Sequence, residues 1–167
     1  MMQFPEITDI EPQNGPLVSY HLEEVDCMLP DQDLLFGWFQ KTAAAEKIPL
    51  LELNFIFCSD EYLLEVNTKY LQHDFYTDVI TFPYAEDSIY GDVFISIDRV
   101  DENARNEGVS FFHELCRVML HGLLHLAGYK DETDEEEAIM RAKENQYLQA
   151  IESYLAAHPG SRHTKHA

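Results

Sequence analysis

Basic residues are scarce: 11 lysines and arginines stand against 31 aspartates and glutamates, for a formal net charge of -20. Phosphate contacts ordinarily draw on a Lys/Arg surplus, so this balance opposes a nucleic-acid binder that works through bulk charge. A polyanionic substrate has to be met by a local basic patch or by bound cations. Cysteine is sparse too. Cys27, Cys58 and Cys116 are odd in number and far apart, without a CxxC pair, which fits reduced, buried thiols in a cytoplasmic protein. No apolar run approaches the ~18 residues that suggest a membrane span, and the opening MMQFPEITDIEPQNGP has no cationic segment followed by an apolar one. Repeats and low-complexity tracts are also missing.

With 46% apolar residues in a chain of 167, there is material for one compact core. The expectation is a single domain over 1–157 and a frayed tail over 158–167. The histidines His158, His163 and His166 are read as part of that tail. Local patterns predict a strand over 16–25, then an amphipathic helix over 31–47 carried by Leu34, Leu35, Trp38, Phe39, Thr42 and Ala45, with Asp31 as cap. In LLELNFIF, Leu51, Leu53, Phe55 and Phe57 alternate onto one strand face. Ser59 caps a helix reaching Tyr70 with Leu63, Leu64 and Val66 inward, and a polar, aromatic loop follows over 72–76. Strands over 78–84 and 89–97 are close enough for an antiparallel hairpin, whereas strands separated by helices run parallel. A short helix ends at Gly108, and a last one, with Thr133 and Glu136 in capping-box spacing, continues to about Ala156. The fold class is α/β.

Between these helices lies SFFHELCRVMLHGLLHLAGYKD, Ser110 to Asp131, apolar almost all round and hence central and buried. It contains HxxxHxxGxxD. Four residues advance a helix by about one turn plus 40°, so His121 and His125 share a face. Gly128 stands where the helix should end and can take a left-handed conformation, which allows Asp131 to swing back as a third ligand. Two imidazoles and a carboxylate suit Zn2+ best, with one coordination position left open, although iron, manganese or nickel also accept such a set. The plainer alternative is a buried polar network. Glu114 and Arg117 fall on the same stripe as the histidines. HExxHxxGxxH metalloproteases have a similar spacing, but their glutamate base is replaced here by Gly122, which instead permits close packing.

The motif HGLLHLAGYKD resembles the HGxLHLxGYDH motif of the YbeY-type family of bacterial rRNA maturation endoribonucleases. TDVITFP at Thr77–Pro83 and GDVFIS at Gly91–Ser96 are similar to that family's TDVLSFP and GDIVIS. The likeness runs from about Leu51 to Tyr147. It implies a mixed four-stranded sheet packed against about five helices, a zinc-type ion held by three side chains, and single-strand endoribonuclease activity in rRNA maturation and small-subunit quality control. Partners would be rRNA and the small ribosomal subunit, without DNA or membrane. Carried over, His121, His125 and Asp131 are the ligands, with aspartate where the family usually has histidine. Leu71 follows Tyr70 where family members commonly carry an arginine. Arg117 is a candidate replacement cation for the scissile phosphate, its alternative being an ion pair with Glu114; Lys69 and His73 are weaker candidates. Glu114 is a candidate proton acceptor despite lying two turns before His121, and Asp78 and Asp92 could orient neighbouring groups. Two further readings compete: a non-catalytic, metal-stabilised ribosome biogenesis factor, favoured by the missing arginine and the acidic charge, and a metzincin-like hydrolase, disfavoured by Gly122.

Overall fold

The computed structural model describes residues 15–163. Most of the opening stretch and the end of the expected tail, with His166, lie outside the described residues. Four strands, β1 (Leu17–Leu22), β2 (Leu50–Cys58), β3 (Val79–Pro83) and β4 (Ile89–Ser96), form one open sheet in the order β1-β2-β4-β3. β1 pairs with β2 and β2 with β4 in parallel, while β3 and β4 form the antiparallel hairpin that their short connection demands. Helices α1 (Gln32–Glu46) and α2 (Asp60–Leu71) lie in the crossovers between parallel strands. After β4 come α3 (Ile97–Glu107), α4 (Phe111–Leu126), α5 (Asp134–Leu148) and, beyond a 3-10 turn at Gln149–Ile151, the short α6 (Glu152–Ala157). The mixed four-stranded α/β sheet and its five longer helices match the expected architecture.

Side-chain caps start the five longer helices. Asp31, Ser59, Ser96, Ser110 and Thr133 each accept a hydrogen bond from a backbone N–H in the first turn. Several local expectations shift. In β2 the pairing with β4 slips between Leu50 and Glu52, so Leu50 is buried and Leu51 half exposed. Alternation onto the core face resumes at Leu53, Phe55 and Phe57. In α1, Ala43 rather than Ala45 is buried, and in α2 Asn67 goes inward while Leu64 stays half-buried. The last helix stops at Leu148, where the 3-10 turn redirects the chain. The segment expected to fray returns to the core: Phe112 N–H donates to the Pro159 carbonyl at 2.9 Å, and Arg162 pairs with Asp98 at 2.6 Å.

α4 lies at the centre of the main core, with Leu115, Cys116, Met119, Leu120, Leu123 and Leu124 fully enclosed. Its backbone reaches the sheet at Gly122, where a Cβ would stand 2.6 Å from Val93 Cγ1. A smaller cluster of Cys58, Leu63, Val66 and Ile80 packs between α2 and the β3–β4 edge of the sheet. All three cysteines are buried and free; burial pushes the Cys27 and Cys58 thiols up to about 12, which leaves them inert.

Candidate metal centre

The polar stripe of α4 survives in a helix whose other faces are apolar. After Leu126 the chain makes its last helical bond from Ala127 N–H to Leu123 O at 2.9 Å, and Gly128, at φ 112°, turns it back. Side chains rarely adopt that dihedral, so glycine is the residue the turn requires. The reversal carries Asp131 over the histidines. Asp131 Oδ2 lies 3.1 Å from His121 Nε2 and 3.3 Å from His125 Nε2. One ligand atom from each of the three residues fits within a 4.8 Å span.

The other ring nitrogens show which atoms face a ligand. His125 Nδ1 lies 2.9 Å from the Tyr129 carbonyl, which only accepts, so Nδ1 carries the proton and Nε2 the lone pair. His121 Nδ1 lies 2.6 Å from Glu144 Oε2, with the same consequence when that carboxylate is ionised. Two Nε2 lone pairs and a carboxylate oxygen then converge with no donor among them. With both imidazoles neutral, this donor set fits a divalent transition metal.

Behind His121 runs a buried chain of charges. Glu144 Oε1 accepts from Arg117 Nη1 at 3.0 Å, and Arg117 in turn donates Nε and Nη2 to the two oxygens of Glu114, at 3.0 and 2.5 Å. The Glu114 and Glu144 side chains are 3% and 2% exposed, so neither charge is screened by water. Burial alone would raise the Glu144 carboxyl, but its bond to His121 and the Arg117 charge outweigh it and hold the group below the usual carboxylate range. Burial likewise works against the Arg117 cation, and the two carboxylates more than compensate.

Both alternatives read from Arg117 concern this chain: the ion pair with Glu114 is present, and the same arginine lines a cleft of ≈ 510 Å³ together with His121 and Asp131. A second cleft of ≈ 430 Å³ opens on the other side of the histidines and holds Leu71, His73 and Asp78. Lys69 stands apart from it over the Tyr70 ring, and Asp92 is bound to Asn54 and Tyr84 on the sheet. Sequence reasoning missed Glu144 and the Tyr129 carbonyl. Glu144 had a faint signal: it lies in helical phase with the inward-facing Met140, Tyr147 and Leu148, so a carboxylate was due on a buried face.

Comparison with known proteins agrees with this architecture. The family model described as Endoribonuclease YbeY matches residues 28–152. Relatives of that name include one from Amoebophilus asiaticus, 47% identical over 80% of this chain and 92% of its own length. Another, from Cytophaga hutchinsonii, is 48% identical over 78% of this chain and 93% of its own. Among solved structures, the solution structure of TM1509 from Thermotoga maritima is similar at a TM-score of 0.60 and 29% identity, covering 86% of this chain and 93% of that one. Three converging ligands, two on the central helix and one beyond its glycine turn, and this match over most of the sequence lead to one conclusion: the chain belongs to the YbeY endoribonuclease family.

Proposed function

We propose that the chain is a zinc-dependent endoribonuclease that hydrolyses phosphodiester bonds of single-stranded RNA during rRNA maturation, acting in the cytoplasm on the small ribosomal subunit. Family membership supports the hydrolysis of RNA. The observation that carries the metal dependence is the convergence of His121 Nε2, His125 Nε2 and Asp131 Oδ2 with both Nδ1 atoms already engaged. Among the described residues no helix is long and apolar enough to cross a membrane.

In this reading His121, His125 and Asp131 hold the ion, and Tyr129 and Glu144 keep the two imidazoles in the tautomer that presents Nε2. Zinc, when bound, supplies Lewis acidity that lowers the pKa of water and polarises a phosphate oxygen. Arg117 and Glu114 act through Glu144: both oxygens of Glu114 are taken by Arg117, whose charge holds Glu144 ionised against His121. Asp78 and Glu132 are the further carboxylates lining the cleft that holds both histidines, and Asp78 Oδ2 also lies 3.9 Å from Arg117 Nη2.

The test is single-turnover cleavage of a single-stranded rRNA fragment, with metal content measured on protein freed of any affinity tag. Wild type should carry about one equivalent of metal and cut, and a chelator should remove both properties. Equal trace cleavage by wild type and His125→Ala would assign the activity to a contaminant. One equivalent of metal retained by Asp131→Ala would overturn the three-ligand site. The non-catalytic reading draws on the acidic charge and Leu71; metal-loaded wild type that binds small subunits without cutting would establish it.

A further inference from the structure

The loop after α2 is held in place. Gln72 ends the helix at φ 60°, His73 N–H donates to the Asn67 carbonyl at 3.1 Å, and Thr68 Oγ1 donates to the His73 carbonyl at 3.1 Å. Asn67, only 2% exposed, donates its Nδ2 to the Phe75 carbonyl at 2.9 Å. These bonds fix the backbone on both sides of a ring pair. His73 and Phe75 stack with centroids 5.1 Å apart and ring planes 19° from parallel. Phe75 nevertheless stays 55% exposed and Leu71 40%. A lone exposed aromatic needs no explanation. This pair, however, lines the same ≈ 430 Å³ cleft as His121, His125 and Asp131.

We propose that the His73–Phe75 pair is a stacking platform for an unpaired base of the RNA, seated in the cleft that leads to the metal centre. The proposal rests on the endoribonuclease reading and adds the subsite that holds the strand. No lysine or arginine is among the described residues lining this cleft, and the chain as a whole carries -20. Lysine or arginine contacts to phosphate therefore do not supply the affinity among these lining residues. Base stacking can: it needs no cation, tolerates any sequence, and operates only on bases free of a duplex. A loop already ordered by Asn67 and Thr68 loses little entropy when the base arrives.

The test uses the full-length, metal-loaded protein and an eight-nucleotide single-stranded oligoadenylate. Phe75→Trp places an indole on the platform, while Trp38, 3% exposed, is out of RNA's reach. Stopped flow should show saturable quenching before turnover, absent with a duplex of the same sequence. Phe75→Ala should raise KM for the oligonucleotide roughly tenfold, a loss in line with one stacked base, and leave kcat within about twofold. Phe75→Trp should keep the wild-type KM. An unchanged KM in Phe75→Ala with no quenching in Phe75→Trp would overturn the platform. So would wild-type cleavage by Phe75→Ala with lost binding to isolated small subunits, which would assign the patch to docking. Saturable quenching with no cleavage by wild type would sink the nuclease reading and leave the platform standing.

Discussion

At the residue scale, Glu144 and Gly122 decide whether the histidines are usable. Glu144 fixes the His121 tautomer from 2.6 Å. Glu144→Gln keeps the shape but lets the amide donate as well as accept, so His121 Nδ1 no longer faces an acceptor alone. Metal affinity should fall about 10- to 100-fold, as loss of such supporting partners typically does, measured by competition with a chelator of known affinity. Undiminished affinity would show that His121 needs no such anchor. Gly122→Ala tests the packing beneath the site. Its Cβ would meet Val93 Cγ1 at 2.6 Å, and overpacking of this kind costs about 1–3 kcal/mol. A lower melting temperature, partly restored by Val93→Ala in the same chain, is the expected result.

At the scale of elements, the third ligand depends on how α5 begins. Thr133 Oγ1 accepts from Glu136 N–H at 3.1 Å, and Glu136 Oε1 accepts from Thr133 N–H at 3.1 Å and Glu132 N–H at 3.0 Å. The capping box thus pins the residue next to Asp131, as Gly128 pins the other end of the turn. Thr133→Ala should lower stability by about 0.5–2 kcal/mol and weaken metal binding at the same time. Stability lost with metal affinity intact would mean that the Gly128 turn alone positions Asp131. The capping box and the α4 stripe were both legible in sequence, because each is a local pattern. Leu51 was misread because the slip that exposes it belongs to the pairing of β2 with β4.

At the scale of the whole molecule, Glu46 ties the end of α1 to the elements around the metal centre. It accepts hydrogen bonds from Tyr129 at 2.6 Å and from Tyr147, and pairs with Lys143 at 3.1 Å. Burial works to raise its carboxyl, but the two tyrosines and Lys143 outweigh that and hold it below the usual carboxylate range. A carboxyl depressed in the folded state stabilises the fold above its unfolded value, about 4.3, and that contribution is lost as pH falls through the folded value. Wild type should therefore lose stability below about pH 4.3 more steeply than Glu46→Gln, in denaturant titrations at stepped pH. Parallel slopes would show that the network does not favour the ionised form.

The sequence by itself determined the α/β class, the hairpin, the central helix and the three candidate ligands, because periodicity, caps and a glycine turn act over a few residues. Tertiary structure decided what those ligands present. Glu144, 23 residues beyond His121 in sequence, selects its Nδ1 proton from another helix, and the link from Arg117 to Glu144 likewise joins two helices. The cleft that joins the His73–Phe75 pair to the histidines exists only once the loop after α2 and the central helix are brought side by side. Helical spacing can place two imidazoles on one face, but the direction of their lone pairs is set by groups that only the folded chain brings within hydrogen-bonding distance.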